Sequence, residues 1–509
     1  MTALDHLAIA PIVTPVIAAP LALLAMRRRR WAGVAISLAG CAAMLIAALA
    51  LFAVAQDEMI RAYPIGGWPA PFGIVLVLDR LAAGMLVLAA ILASAVMGHA
   101  IVTGADRRGW HFHPLFHFQM LGLNGAFLTG DLFNLFVFFE VLLIASYGLM
   151  LHGQGALRMK AGVAYVVVNI VGSAIFLVAL GLLYALTGTL NMADLARRVA
   201  ALGGEDQALI RVAGLLLLTV FALKAAVVPL HLWLPRTYAA TMPVVAALFA
   251  IMTKVGVYAM IRVVPLVFGN GAGAAAWVPA PWLLPAAILT TLAGFAGVLA
   301  ARALREQAAF AIIGSTGTLL LAISCWTPAT IAAGLYYLGH ATLAGGALFL
   351  IADATLRRRG QYGDTIMPTP RFAGQDSAAL LYLGVAIAIV GLPPLSGFVG
   401  KLMILHATAD AAWQAAIWWT ILGTTLIGVV GLARSGSLIF WKRADTEASA
   451  IACPARSPAE FAAPAVLLAL LGGYTVAAGW ATEQAQAAAA QVFAPSRYVA
   501  AVLGPEAAR

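Results

Sequence analysis

The chain has 509 residues, of which 63% are hydrophobic and only 10% charged. Soluble globular domains carry about a quarter charged residues, so this composition excludes one and points to an all-α polytopic membrane protein. Thirty Lys and Arg against twenty Asp and Glu leave a net charge of +10; in such a chain the excess belongs to loops that set orientation, and no nucleic acid is expected as a partner.

A spanning helix needs about 20 mostly apolar residues. On that measure fourteen spans are predicted: 7–26, 31–55, 73–98, 114–130, 131–151, 160–187, 209–230, 243–267, 282–301, 308–325, 329–352, 378–409, 414–440 and 461–481. Only the "TGD" at 129–131 parts the fourth from the fifth. The four arginines Arg27–Arg30 follow the first apolar run instead of preceding it, so no cleavable signal peptide is expected. After the sixth span, "LNMADLARRVAALGGEDQ" has apolar residues at 195, 199 and 202, the pattern of a short amphipathic helix lying at the interface. The glycine-rich loop after residue 268 follows a membrane helix and not a strand, so it is no nucleotide fingerprint. Without a Walker A loop or a nucleophile elbow, ATP-driven transport and hydrolase chemistry gain little support. Cys41, Cys325 and Cys453 form no C-x-x-C pair, so neither a disulfide framework nor a cofactor is expected.

Charge orients the spans. Arg27–Arg30, Arg107 and Arg108, Arg158 and Lys160, Arg236, Arg302 and Arg305, Arg357–Arg359 with Arg371, and Lys442 with Arg443 fall in alternate loops. The opposing loops are nearly free of positive charge, and where Arg197 and Arg198 occur, Glu205 and Asp206 offset them. The positive-inside rule makes the basic loops cytoplasmic and puts both termini outside, in the periplasm if this is a bacterial inner-membrane protein.

A charge at the bilayer centre costs about 2.5–3.5 kcal/mol on insertion scales. Four such residues lie well inside the predicted spans: Glu140 in "LFNLFVFFEVLLIASYGL", Lys224 in "FALKAAVVPLHLWLPRTYA", Lys254 in "LFAIMTKVGVYAM" and Lys401 in "LPPLSGFVGKLMIL"; His340 in "YYLGHATLAGGALFL" is a fifth. Nearer helix ends, as at Arg262 and Asp353, snorkelling or one static ion pair is the plain reading. At the centre, buried charges mark ion or proton paths. The backbone agrees. Pro229 removes one helical hydrogen bond and frees the carbonyl of Ala225, beside Lys224. Pro393 and Pro394, with Gly391, Gly397 and Gly400 around them, do the same ahead of Lys401. Interrupted helices at membrane depth are tolerated where they face protein or a wet cavity, and a matched pair of them is the mark of a transporter built from inverted repeats.

"KAAVVPLHLWLPRTYAATMPVVAALFAIMTKVGVYAMIR" resembles the proton-conducting, antiporter-like subunits shared by respiratory complex I, membrane hydrogenases and Mrp-type cation/proton antiporters, and "GDLFNLFVFFEVLLIASYGLM" is most similar to the D-type subunit of the Mrp (Pha, Mnh) antiporters. The resemblance covers nearly the whole chain. It implies a core of fourteen helices in which helices 4–8 and 9–13 are inverted repeats, with helices 7 and 12 discontinuous. The expected organisation is 1–112 for helices 1–3, 113–267 for the first repeat, 282–440 for the second, 461–481 for helix 14 and 482–509 for a tail. By position, the family's fifth-helix glutamate falls on Glu140, its seventh-helix lysine on Lys224, its eighth-helix lysine on Lys254 and its twelfth-helix lysine on Lys401. Some relatives carry a helix-11 lysine after the histidine; here Gly345 and Gly346 occupy that region, leaving His340 and hydroxyls. A desolvated lysine can give up and regain a proton near neutral pH, which makes it a carrier and not a fixed cation. The implied relay is Glu140–Lys224–Lys254, then His340, then Lys401, with water in the gaps.

The resemblance implies a non-enzymatic subunit moving protons against Na⁺ or K⁺ in the company of A, B, C, E, F and G type subunits and membrane lipid. The rival is a membrane-arm subunit of a redox enzyme such as complex I or a membrane hydrogenase, with the same channel driven by electron transfer. His99, His111, His113, His117, His152 and His231 all fall near the predicted cytoplasmic side and could collect protons there, or simply be interfacial residues. "WHFHPLFH" has no carboxylate or cysteine at ligand spacing, so no metal is expected.

Overall fold

The computed structural model describes residues 6–204, 206–443 and 457–508; Glu205 and Cys453 lie outside them. Among the described residues, twelve helices are long and apolar enough to cross a membrane. The 17-residue helix Phe112–Leu128 and a span divided into Gln375–Val390 and Ser396–Ala407 bring the crossings to fourteen. This is an integral membrane protein of the expected all-α class.

The five crossings from the fourth to the eighth and the five from the ninth to the thirteenth match in kind. Each set has one very long helix in third place, Ala156–Thr187 and Pro328–Arg358, of 32 and 31 residues. Each has a broken helix in fourth place: Asp206–Lys224 with Trp233–Ala240, and Gln375–Val390 with Ser396–Ala407. Because five is odd, the two sets cross in opposite senses. The eighth span, Pro243–Val267, is wholly buried and forms the centre of the bundle.

The loops that share positive charge also share one end of the bundle. Arg30 pairs with Asp106 at 2.8 Å, Arg357 donates to the carbonyl of Thr103, Arg158 to that of Ala240 and Arg434 to that of Ala301. The remaining loops meet at the opposite end. Exposed tryptophans stand at both ends, Trp31 and Trp110 at the basic one, Trp68, Trp282 and Trp413 at the other, as expected of residues with an apolar body and a polar tip at a membrane boundary.

Three segments differ from expectation. Residues 73–78, read as the start of the third span, instead form part of an antiparallel hairpin pairing Arg61–Pro64 with Val75–Leu78. The helix starts at Arg80 because the Asp79 side chain caps it, accepting from the N–H of Ala82. The eighth span is itself interrupted, at Ala250 and Ile251, whose N–H groups bond three residues back. And the stretch after residue 481 is no loose tail: Ala478–Val492 and Pro495–Leu503 are helical and fold over the end opposite the basic loops, where Gln491 donates to the carbonyl of Glu58 and Gln484 accepts from Arg80. The amphipathic segment is helical over Met192–Ala201 with Leu195 and Val199 fully buried; its N-cap Asn191 accepts from the N–H groups of Ala193 and Asp194.

Candidate functional site

The seventh helix stops at Lys224, ahead of Pro229. The N–H of Val227 bonds to the carbonyl of Ala222 at 2.9 Å and that of Ala226 to Leu223 at 3.1 Å, with Ala226 at φ 56°: a Schellman end. The lone hydrogen bond expected to be lost at Ala225 is thus replaced by an irregular stretch, 225–232. The residue before a proline is pushed out of the helical region, and the chain finishes its turn before meeting that restriction. Thr290 of the ninth span accepts from the N–H of Val228 at 3.0 Å, and Trp233 donates to the carbonyl of Leu223 at 3.2 Å. The freed backbone is satisfied by neighbours instead of water.

Lys224 is 9% exposed. Its Nζ donates to Oδ1 of Asn169 at 3.2 Å and lies 6.0 Å from the centre of the Phe139 ring. One helical turn along the sixth span from Asn169, Ser173 donates to Oε1 of Glu140 in a very short hydrogen bond. Glu140 and Lys224 form no direct ion pair among the described contacts but lie in electrostatic range of each other. Asn169 and Ser173, at four-residue spacing on one face, thus hold the ammonium and the carboxylate one turn apart. A narrow cavity of about 10 Å³ adjoins Lys224, with Tyr165, Asn169, Trp233, Met252 and Val255 in its walls, space for about one water. It opens the way from Lys224 toward the eighth span.

Lys254 is fully buried and stands just after the interruption of the eighth helix. Its Nζ donates to the hydroxyl of Thr253 at 3.2 Å, which also accepts from Thr316 of the tenth span at 3.2 Å. His340, 1% exposed, shares a 2.9 Å hydrogen bond between Nδ1 and the hydroxyl of Ser396. It lies in electrostatic range of both Lys254 and Lys401. Ser396 opens the second fragment of the twelfth span. Lys401, one and a half turns further, reaches back across the break: its Nζ donates to the carbonyl of Val390 at 2.8 Å and to the hydroxyl of Thr425 at 2.7 Å. Here too the first fragment ends in a Schellman turn, from the N–H of Leu392 to the carbonyl of Ile387 and from Gly391 to Ala388, ahead of Pro393 and Pro394.

Each of the five residues singled out in sequence therefore has a buried polar partner, and His340 connects electrostatically the groups of the two halves. Asn169, Ser173, Thr253, Thr316, Ser396 and Thr425 were not singled out. Asn169, alone amid "VVVNIVGS", was the one with a legible signal: an amide at mid-membrane needs a reason.

The six histidines do not form one surface. His99 is buried against Asp353, Nε2 to Oδ2 at 3.1 Å, with Arg357 on the same carboxylate. His113 is buried between Asp106 and the hydroxyl of Ser37; burial works against ionised Asp106, but its bonds from His113 and Arg30 prevail and hold its carboxyl below the usual range. His117 is also buried, and His152 bonds the carbonyl of Ala105 at 3.0 Å. Only His111 is well exposed, with His231 partly so. His231 lines a cleft between the repeats with Arg236, Arg305 and Glu306. Among the described residues no group of three or more His, Cys, Asp or Glu could hold a metal ion.

Residues 129–428 match the family model described as NADH:quinone oxidoreductase/Mrp antiporter, transmembrane. The chain is 40% identical to the D-type subunit of the probable K⁺/H⁺ antiporter of Rhizobium meliloti (strain 1021), over 86% of this chain and 87% of that one. It is 34% identical to the D-type subunit of the Na⁺/H⁺ antiporter of Bacillus subtilis (strain 168), covering 98% of this chain and 100% of the relative. Among solved structures it superposes on a chain of the Mrp complex from Dietzia sp. DQ12-45-1b with a TM-score of 0.87 and 28% identity, over 99% of this chain and 100% of that one. With more than half of its length in the family match, including most of both repeats, the chain belongs to the transmembrane NADH:quinone oxidoreductase/Mrp antiporter family.

Proposed function

We propose that this chain is the D-type subunit of a multisubunit monovalent cation/proton antiporter, and that it carries the proton. The observation that supports this best is the row of hydrogen-bonded ionisable groups inside the spans: Lys224, Lys254 and Lys401, each buried beside a helix interruption, with buried His340 and half-buried Glu140. Holding them costs several kcal/mol in insertion alone, and buried charges held only for stability are commonly replaceable by apolar residues. A proton on Lys224 is favoured by the nearby carboxylate of Glu140, which Ser173 holds one turn from Asn169. Neutralising or moving Glu140 weakens that hold, and the proton passes by way of water near Met252 and Val255 to Lys254. From Lys254 it moves through His340 to Lys401, where the end of a half-helix holds it. Of the histidines, His231 at its cleft suits proton uptake best, being both accessible and beside a carboxylate, Glu306. The basic end of the bundle faces the cytoplasm, the termini face the periplasm, and the host membrane is the bacterial inner membrane. Residues 113–267 and 282–440 act as the two half-channels. Partner subunits of the A, B, C, E, F and G types complete the antiporter.

The test is cation-dependent proton flux in everted vesicles carrying the whole complex. Na⁺- or K⁺-driven flux that needs this chain and is lost on substituting Lys224 supports the reading. Full flux with the relay lysines replaced by Met, in an assembled complex, refutes it.

A further inference from the structure

The eighth span carries Lys254, Tyr258 and Arg262 at four-residue spacing, on one face of the most deeply buried helix. The proposed relay uses only the first of them. The hydroxyl of Tyr258 donates to the carbonyl of Phe127 at 2.5 Å and accepts from Nε and Nη2 of Arg262 at 3.3 and 3.2 Å. Arg262, 6% exposed, does not snorkel. It forms a two-pronged pair with Asp79, Nη1 to Oδ2 at 2.5 Å and Nη2 to Oδ1 at 2.8 Å. Over the guanidinium lies the ring of Tyr498, 5.6 Å away, from the helix Pro495–Leu503. A polar row thus runs from Lys254 to the end of the bundle opposite the basic loops, and the C-terminal helix covers its mouth.

For a proton carrier this row is a hazard. A proton on Lys254 that left along it would reach the far side without passing His340 or Lys401, and the second half of the protein would do nothing. What blocks the row is a group that cannot release its proton in a protein. The guanidinium gives Nε and one N–H of Nη2 to Tyr258 and turns its other edge, Nη1 with Nη2, to Asp79, so the cation stands between the tyrosine and the carboxylate. A fixed cation in a narrow polar path repels protons, as arginine does in water-selective pores. Tyr258 has its donor committed to Phe127 and an acceptor site to Arg262, so it offers no open step between them.

We propose that Arg262, oriented by Asp79 and covered by Tyr498, is a plug that closes a short circuit from Lys254 and directs its proton onward to His340. Arg262 is a positioning residue, and the inference rests on the reading of Lys254 as a carrier. A static ion pair would matter for stability alone; a plug matters for leakage.

The readout is the decay of an imposed pH gradient, without Na⁺ or K⁺, in vesicles containing the assembled complex. The double variant Asp79→Asn, Arg262→Gln keeps a hydrogen-bonded pair of amides and removes the charge. It is expected to leak about tenfold faster than the parent, since the guanidinium that cannot release its proton is gone from the row. Arg262→Lys, which keeps a charge against Asp79 but puts in a group that can release its proton, is expected to leak faster than the parent as well. Adding Lys254→Met to the double variant is expected to abolish the leak. A double variant that holds the gradient like the parent overturns the proposal, and so does a leak indifferent to Lys254→Met, which would come from general loosening. If the double variant does not assemble, Arg262→Lys, which keeps the charge paired with Asp79, stands in for it, and a complex as tight as the parent then overturns the plug. Lys254→Met alone with full antiport would instead strike the relay reading, whatever the leak shows.

Discussion

The two broken spans end their first fragments with the same turn and then treat their lysines differently. Lys224 is the last helical residue before its break, and its charge is answered by side chains: Asn169 directly, with the Glu140 carboxylate in electrostatic range. Lys401 sits after its break and is answered by the main chain, through the carbonyl of Val390, and by the hydroxyl of Thr425. Among the described residues no carboxylate pairs with Lys401. The first lysine therefore has within range a group that can itself gain a proton, whereas the second is held by dipoles that cannot. A change of charge can trigger the first half, whereas the second needs its two fragments to move apart, or a proton to arrive from His340. The glycines agree. A side chain at Gly391 would stand 2.8 Å from Cδ of Lys401, and one at Gly397 would meet the carbonyl of Ala388 at 2.1 Å. The second break is packed to bring its fragments into contact.

The largest effect should come from Lys224→Arg and Lys401→Arg, which keep charge and remove proton release. Both are expected to assemble and to lose antiport by a factor of ten or more, about 1.4 kcal/mol of barrier or above. Wild-type cation-dependent flux in a well-assembled Lys224→Arg complex would leave a static ion pair as the role of Lys224. Next, Glu140→Ala should abolish or nearly abolish flux, because the switch of the first half is gone. Thr425→Val removes one of two partners of Lys401 and should slow flux only severalfold, in keeping with about 1.5 kcal/mol for a hydrogen bond to a charged group. If the two substitutions are equally damaging, the contrast between a side-chain and a main-chain hold fails.

Stability offers a sharper version. Gly391→Ala puts a Cβ into a left-handed position and against Lys401, and should cost about 1–2 kcal/mol. Ala226→Gly relieves the same strain in the first break and should add up to about 1 kcal/mol. Thermal unfolding of the solubilised complex measures both. Equal shifts of one sign would show that the two turns are not equivalent. The smallest effect is expected from His340→Ala, since water can stand where the imidazole was: a reduced rate or a displaced pH optimum. A complex unchanged in both would mean that protons pass from Lys254 to Lys401 without the eleventh span.

The depth of each residue along its helix is legible in the sequence, and its direction around the helix is not. Span ends are readable to within a few residues because apolar runs stop at arginines and glycines, and the spacing of Leu195 and Val199 puts them on one face. The third span reads as beginning early in the sequence because Val75–Leu78, buried on a strand, is as apolar as a helix; the capping aspartate at 79 is the clue to its true start. The histidines show the limit. Their depth is legible, but His99, His113 and His117 turn into the bundle, which no pattern of spacing in so apolar a chain reveals. The interruption at Ala250 and Ile251 has neither proline nor glycine to announce it and comes from packing at the centre. The relay's second partners escape notice for a related reason. Single hydroxyls such as Thr253 or Ser396 are common in membrane helices, and only their neighbours across the bundle give them work.

The helices that follow the last crossing also bear on how the protein is made. Gln484 and Gln491 bond to Arg80 and to the backbone at Glu58 and Arg80, partners more than four hundred residues earlier in the chain. A ribosome must deliver every span before those bonds can form. Until then the hairpin and the start of the third helix wait without their cover, so closure of that face is the last event of biogenesis. A stop codon or a bulky fusion placed shortly after the final span would spare insertion and topology yet leave the subunit unfinished, exposed to proteases on the side where residues 484–498 belong.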